Sequence, residues 1–235
     1  AQIGNPVPAL FMFVISGWVI SVALHEFGHA IIAYWGGDTS VADRGYLTLD
    51  PLKYVNPFLS VAMPVLFLIM GGIGLPGGAV YIYPQAIRSD MMRSLTSAAG
   101  PIMSAVCGLV CLIPFLIAMN NPEALFTHLD FWAAMAMIGV LQITAICINL
   151  LPIPGLDGYG IIEPFLPANI ASSLNGLRPF GFMILLFIIF IDSPIQQQFW
   201  RSMFGVVDQI HPDLQSFFWY SFSPVSYTHL TLPTT

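Results

Sequence analysis

The chain has 235 residues, of which 57% are hydrophobic and only 8% are charged, and its mean hydropathy is +0.80. A water-soluble domain usually has about 25% charged residues, so this chain cannot cover a water-facing surface and a soluble fold is excluded. The net charge of −6 is dispersed, and there is no basic cluster that would suggest a nucleic-acid partner. We therefore expect an integral membrane protein whose surroundings are a lipid bilayer.

The apolar runs predict the spans in chain order. The first run, 7–35, ends at a Gly-Gly pair that is typical of a helix end. The second run, 58–70, is short and contains a proline. The stretch AVYIY at 79–83 alternates like a short strand, and an ordinary connecting segment is the alternative. The runs at 95–119 and 131–151 are each long enough to span a bilayer.

The last third of the chain is less regular. A break rich in proline and glycine, LLPIPGLDGYG, follows the fourth run. A fifth run, 180–191, is too short to span unless its helix begins near residue 171. Residues 193–222 mix aromatic and polar side chains and are expected to form an amphipathic C-terminal segment at the membrane interface. The final stretch, 223–235, differs in composition from the rest, and we expect it to be a non-native tail.

Three polar side chains interrupt the first run, in the stretch ALHEFGHAII. His25 and His29 are four residues apart and share a helix face, and Glu26 stands beside them. A charged side chain at the bilayer centre costs about 2.5–3.5 kcal/mol, so a purpose is expected. The pattern His-Glu-x-x-His is typical of zinc metalloproteases, with two metal ligands and a general base. A chance match is the alternative, and the apolar surroundings favour the metal site.

A catalytic zinc site needs a third protein ligand. The other native histidines, His128 in a short polar loop and His211 in the C-terminal segment, are not well placed. The remaining candidates are carboxylates, among them Asp157, Glu163 and Asp192. Asp157 is favoured because it lies in the proline-rich break, and non-helical backbone at membrane depth is tolerated only where it lines a cavity or is buried. A turn-capping aspartate is the alternative.

Three motifs carry a resemblance to a known family: His25-Glu26-x-x-His29, the AAGP of 98–101, and Asn149-x-x-Pro152-x-Pro154-x-x-Asp157-Gly158. In this order they resemble the site-2 protease family of intramembrane zinc metalloproteases, in its compact prokaryotic form. The similarity covers roughly residues 10–165. It implies one Zn²⁺ per chain, bound by three ligands, with a glutamate base and an asparagine that holds the substrate. These residues are His25, His29 and Asp157 for the metal, Glu26 for the base and Asn149 for the substrate.

Two positions depart from the family pattern. The family often has Asn where this chain has Ser104, and many compact members have His where it has Tyr54. Neither position is an implied zinc ligand, so the departures concern substrate gating or positioning. Independently of the resemblance, the Asn149 amide could bind a substrate backbone or join two helices.

The ligand positions also predict a topology. If both ligand-bearing ends meet at one metal ion, the chain crosses the membrane an even number of times between them. The runs at 95–119 and 131–151 then span, and 58–94 enters and returns on one side. Five of the six basic residues share the active-site side in this arrangement, which the positive-inside rule places in the cytoplasm. They are Arg44, Lys53, Arg88, Arg93 and Arg178.

The expected fold is therefore an all-α polytopic membrane protein with about four to five transmembrane helices. A re-entrant or hairpin β-containing segment is expected between the first and second full spans. Residues 1–192 are expected to form the intramembrane metalloprotease domain, with its core at 10–165. The expected activity is hydrolysis of peptide bonds in or near transmembrane segments of membrane-protein substrates. The alternatives are a non-proteolytic membrane zinc-binding protein and a catalytically silent homologue that binds partner helices.

Overall fold

The computed structural model describes residues 7–55 and 78–222. The helices in this part of the chain are, in order, α1 (Val7–Gly36), α2 (Ser40–Asp43), α3 (Asp90–Met119), α4 (Pro122–Thr127), α5 (Leu129–Asn149), α6 (Asp157–Ile162), α7 (Ala168–Asn175), α8 (Arg178–Phe190), α9 (Pro194–Ile210) and α10 (Leu214–Phe222). Short 3₁₀ turns occur at Pro51–Tyr54, Pro84–Ala86 and Glu163–Phe165.

Three of these helices, α1, α3 and α5, are long and apolar enough to cross a membrane. Within residues 7–55 and 78–222, a fourth span is present only if α7 and α8, which are bent by 70° against each other, count as one broken span. The 13 residues of α8 reach only about 20 Å, which is less than the roughly 30 Å of a bilayer core. The chain is thus an integral membrane protein with three to four candidate spans in its described residues, and the upper estimate of five is not supported.

The ends of the spanning helices follow local signals. Gly37 follows α1 with a φ of 122°, a conformation that favours glycine. The Ser89 hydroxyl accepts a hydrogen bond from the Met92 N–H and caps the start of α3, which therefore begins before the apolar run. Helix α5 ends at Asn149. Pro152 and Pro154 follow Asn149 within five residues and prevent the helix from continuing.

Close packing of α3 against α1 and α5 forms the centre of the fold. Small residues allow the approach: a side chain at Gly28 of α1 would overlap the Ala99 carbonyl of α3, and one at Gly139 of α5 would overlap Leu112. The opposite face of α3 exposes large apolar side chains, as a lipid-facing surface requires. These residues are Ile102, Val106, Leu109, Val110, Ile113 and Ile117.

Residues 79–83 form no strand, and none occurs in the part of the chain that the structure describes. A strand needs a neighbouring strand to share its backbone hydrogen bonds. Here the Tyr83 N–H donates to the Asp38 carboxylate (2.7 Å), and the Tyr81 carbonyl accepts from the Arg44 guanidinium (2.9 Å). The segment is connecting chain held by side chains, so the predicted β character is wrong for 79–83.

Residues 58–77 of the predicted re-entrant segment, 58–94, lie outside the described residues. Its flanks are described and lie close together. The Ala79 N–H donates to the Tyr54 carbonyl (3.0 Å), and the Arg88 N–H donates to the Gly36 carbonyl (2.9 Å). The start of α3 therefore lies beside the end of α1.

The break between α5 and α6 is shaped by two glycines with different roles. Gly155 has a φ of 107°, which a side chain would strain. Gly158 has no such φ; it is needed because a Cβ there would overlap the Leu150 carbonyl. The proline- and glycine-rich sequence of this break predicts irregular backbone, and the structure adds that α6 begins close to the Leu150 carbonyl and packs against α3.

Beyond α8 the chain folds back onto the spanning helices. Helix α9 packs against α8 and α5, and α10 packs against α5. Met203 and Val207 of α9 are buried in the same apolar cluster as the core of α5. The predicted non-native tail, 223–235, lies outside the described residues.

Candidate active site

Three side chains from two distant helices meet at one point. His25 and His29 lie one turn apart on α1, and Asp157 is the first residue of α6. The two Nε2 atoms are 3.1 Å apart. The Asp157 carboxylate reaches both, with Oδ2 3.2 Å from Nε2 of His25 and Oδ1 3.3 Å from Nε2 of His29. In the described ranges this is a group of side chains that could hold a metal ion.

The other ring nitrogens are held by α3. Nδ1 of His29 donates to the Thr96 carbonyl at 2.7 Å, which requires the proton to be on Nδ1 and leaves a lone pair on Nε2. Nδ1 of His25 lies 2.9 Å from the Ser104 hydroxyl, whose oxygen can accept a hydrogen bond in the same way. Both rings are therefore oriented as histidine ligands usually are, with the second nitrogen held by a neighbour.

The residues fit a zinc ion. Tetrahedral ligands about 2.0–2.1 Å from one ion lie about 3.3 Å apart, close to the separations of the three side chains. Oδ2 of Asp157 is buried and accepts no hydrogen bond from the described residues, a cost of about 1–3 kcal/mol that a cation would remove. Gly100 of α3 leaves the necessary space, because a Cβ there would overlap both Nε2 atoms. Two imidazoles and a carboxylate are a donor set that Zn²⁺ accepts.

Glu26 lies at the edge of this cluster and is buried, with 8% of its surface exposed. Its charge interacts with His25, His29 and Asp157, and the Val80 backbone amide is placed to hydrogen-bond its carboxylate. The Glu26 carboxylate therefore lies close to the three converging ligands without being one of them. It is the position that a general base for an attacking water requires.

A cavity of about 490 Å³ contains the cluster. Its walls include Asn149 and Gln142 of α5, and its apolar side is formed by α8. A second, more polar cavity of about 840 Å³ also reaches Asp157 and is lined by Arg93 and Arg178. The site thus opens on one side to polar residues and on the other to an apolar helix, as a path for both water and a hydrophobic chain requires.

The two departures from the family pattern have structural roles here. Ser104 contacts the His25 ring, as described above. Tyr54 is buried, and its hydroxyl donates to the carbonyls of Tyr46 (2.9 Å) and Thr48. Burial, with a smaller effect from Glu26, raises the pKa of Tyr54 to about 12, so the phenol remains a donor at neutral pH. Tyr54 therefore holds the loop after α2 in place.

The other candidate ligands lie elsewhere. Glu163 pairs with Arg178, Asp192 accepts a hydrogen bond from Gln197, and His211 faces Asp213. His128 precedes α5, at the end opposite Asn149.

Two contacts of the site were not foreseen from the sequence. The Thr96 carbonyl is a backbone group and leaves no sequence signal. Gln142, by contrast, is a polar residue within an apolar run, the same signal that drew attention to Asn149.

Sequence comparison places the chain among bacterial metalloproteases. It is 42% identical over 199 residues to the protein named "Putative zinc metalloprotease Rip2" of Mycolicibacterium smegmatis, covering 85% of this chain and 74% of that protein. The protein of the same name in Mycobacterium tuberculosis strain H37Rv is 41% identical over the same shares. "Putative zinc metalloprotease YwhC" of Bacillus subtilis is 26% identical over 207 residues, which is 86% of this chain and 90% of that protein.

No family model and no solved structure matches the chain. The identity to the Rip2 proteins extends over most of both sequences. Together with three converging zinc-type ligands on apolar helices, this likeness makes Zn²⁺ the cofactor. The chain belongs to the site-2 protease family of zinc metalloproteases.

Proposed function

We propose that the chain is an intramembrane zinc metalloendopeptidase that hydrolyses peptide bonds in or near transmembrane segments of membrane proteins. The observation that carries the proposal is the convergence of two Nε2 atoms and one carboxylate within 3.1–3.3 Å of one another, with Glu26 beside them, on apolar helices. One zinc ion per chain is held by His25, His29 and Asp157. When bound, it supplies a Lewis acid that polarises a carbonyl and acidifies water.

Glu26 acts as the general base and then as the general acid. Its carboxylate takes a proton from the water that attacks the scissile carbonyl carbon, and passes that proton to the amine nitrogen as the C–N bond breaks. The products are a carboxylate and an amine. Neighbouring residues hold the ligands in the orientation that this reaction needs: Ser104 contacts the His25 ring, and the Thr96 carbonyl accepts from the His29 ring.

The substrate has to be unwound before it can react. Carbonyls of a transmembrane helix are occupied by intrahelical hydrogen bonds, so the attacked segment must become extended. Asn149 lines the cavity at the end of α5 and holds the unwound backbone there. The active site faces the cytoplasm, because five of the six basic residues lie on its side of the proposed topology.

A non-proteolytic zinc-binding protein needs the three ligands but no general base. A catalytically silent homologue needs neither the ligands nor the base. We therefore compare Glu26→Gln with Asp157→Ala in the purified full chain. We expect both to lower the cleavage rate of a fluorogenic transmembrane peptide by at least about 10²-fold, the range of general-base effects. Glu26→Gln should keep about one zinc per chain, and Asp157→Ala should lose most of it.

Matched controls are Glu123→Gln and Asp192→Ala, which alter exposed acidic residues away from the site. Both should keep the cleavage rate and the zinc content. Cleavage that persists in Glu26→Gln would exclude the proposed base. Zinc that persists in Asp157→Ala would move the third ligand elsewhere. A wild-type chain that binds zinc without cleaving would favour the non-proteolytic zinc-binding protein.

A further inference from the structure

Gln142 is a polar residue of the site cavity to which the chemistry above gives no role. It lies in the middle of α5, is 1% exposed, and lines the cavity that contains the metal ligands. Its Nε2 atom has no hydrogen-bond partner among the described residues. An amide N–H left unpaired in a buried place costs about 1–3 kcal/mol, so a resting state with such a donor requires an explanation.

Two hydroxyls that line the same cavity have other partners, and neither accepts a hydrogen bond from Nε2 of Gln142. The Ser21 hydroxyl donates to the Gly17 carbonyl at 2.7 Å, and the Ser104 hydroxyl contacts Nδ1 of His25 at 2.9 Å. The stem of Gln142 packs on α3 where Gly108 leaves room, since a Cβ there would lie 3.3 Å from the Cβ of Gln142. Because the terminal amide torsion is broad, either its N–H or its oxygen can face the cavity. Gln142 can thus turn its unpaired Nε2 donor toward the cavity.

Its spacing from Asn149 suggests what it binds. The two residues are seven positions apart on α5, so they lie on the same face, about 10 Å apart along the helix axis. An extended peptide advances about 3.3 Å per residue, so about three residues of extended chain separate the two amides. A water molecule would require no such alignment, whereas an unwound substrate offers backbone carbonyls along its whole length.

We propose that Gln142 is a second substrate-binding residue, which donates from Nε2 to a backbone carbonyl of the unwound transmembrane peptide, about three residues from the position held by Asn149. The inference rests on the proposed proteolytic function and names the part of the substrate that this site recognises. Because Gln142 binds a backbone carbonyl rather than a side chain, it accepts any substrate segment that can become extended in the cavity.

The test compares Gln142→Met with the wild type in the zinc-loaded full chain. Methionine matches the length of glutamine but has no donor. The control is Thr144→Val on the same helix, whose hydroxyl donates to the Val140 carbonyl and contacts Met203 outside the cavity. The probe is a synthetic apolar peptide of about 20 residues, with flanking lysines and a fluorophore–quencher pair, in lipid nanodiscs.

We expect Gln142→Met to raise KM by about 3- to 10-fold with little change in kcat, as loss of one neutral hydrogen bond predicts. Its Tm should stay constant or rise, because the substitution removes an unpaired buried donor. Thr144→Val should leave KM unchanged. An unchanged KM in Gln142→Met overturns the proposal.

A series of probes, each with one amide replaced by an ester, separates binding from a structural effect. An ester carbonyl is a weaker acceptor, so one ester position should raise KM in the wild type and have no further effect in Gln142→Met. If no ester position shows this coupling, the role of Gln142 is structural and the proposal is wrong.

Binding of the probe to the Glu26→Gln chain, measured by fluorescence anisotropy, keeps the two proposals distinct. If the wild type fails to cleave but Gln142→Met still weakens binding in the Glu26→Gln chain, the proposed hydrolysis fails and the inference stands. If cleavage is normal and neither KM nor binding responds to Gln142→Met, the inference fails and the protease remains.

Discussion

His25 and His29 each use one ring nitrogen for a contact with α3 and direct the other toward Asp157. The quality of the site therefore depends on how closely α3 approaches α1. Gly100 is the residue at that contact, since any side chain there would enter the space between the two rings. Gly100 has no side chain, yet it thus controls how closely the metal-binding side chains can approach one another.

We predict that Gly100→Ala lowers the zinc content to well below one ion per chain and abolishes most peptide cleavage. The added methyl group must displace the imidazoles or separate the helices, and overpacking of this kind costs about 1–3 kcal/mol. The measurements are metal analysis of the purified chain and its Tm. Gly205→Ala is the matched control, because no atom lies within 4 Å of a Cβ at that position of α9. Full zinc binding in Gly100→Ala would show that the rings do not need this space.

At the scale of elements, the connecting chain at 78–83 forms a wall of the site although it has no regular structure. Asp38 is 1% exposed and accepts three hydrogen bonds, from the Tyr83 N–H and from the backbone and hydroxyl of Ser40. Arg44 adds contacts to the Tyr81 carbonyl and the Tyr83 hydroxyl. These side chains replace the ladder that a strand would supply, and they bring Val80 against Glu26.

Asp38→Ala should release this wall. Loss of the carboxylate leaves backbone donors unpaired, which costs about 1–3 kcal/mol locally. We expect amide hydrogen exchange at 79–83 to accelerate by about tenfold or more and peptide cleavage to fall, while zinc binding persists. Asp43→Ala, at an exposed carboxylate of α2, is the control for charge removal. Unchanged exchange at 79–83 in Asp38→Ala would mean that the wall is held by other contacts.

The predictability of the elements follows their physics. The spans α1, α3 and α5 were predictable because a bilayer requires long apolar runs, and each helix matches its run within a few residues. The segment at 79–83 was not, because alternation shows which faces are apolar but not whether a partner strand exists. The start of α8 was also not predictable from the sequence, since the 70° bend between α7 and α8 depends on packing.

For the whole molecule, the arrangement of α1, α3 and α5 brings the end of the first span, the start of the second and the end of the third to one side. The hydrogen bond from Arg88 to Gly36 and the contact of Asp157 with the histidines both lie there. Basic residues line the polar cavity on that side, and Glu123 follows the opposite end of α3. We propose that the first side is cytoplasmic.

The orientation is testable with single cysteines in a chain whose Cys107, Cys111 and Cys147 are replaced by alanine. We expect Arg88→Cys to react with a membrane-impermeant maleimide only in inside-out vesicles. Glu123→Cys, the matched position on the other side, should react only in right-side-out vesicles. Labelling of Arg88→Cys from the outside would reverse the proposed orientation.

The sequence by itself determined that the protein resides in the membrane, because so few charges cannot cover a soluble surface. It also indicated a metal site, because His25 and His29 share a helix face and Glu26 stands beside them. Only the tertiary structure decided that Asp157 reaches the histidines and that Ser104 and Thr96 orient them. It also decided that Gln142 remains an unpaired donor among the described residues. The physical reason is that periodicity is a local property of a chain, whereas contacts between residues far apart in sequence, such as His25 and Asp157, depend on how helices pack.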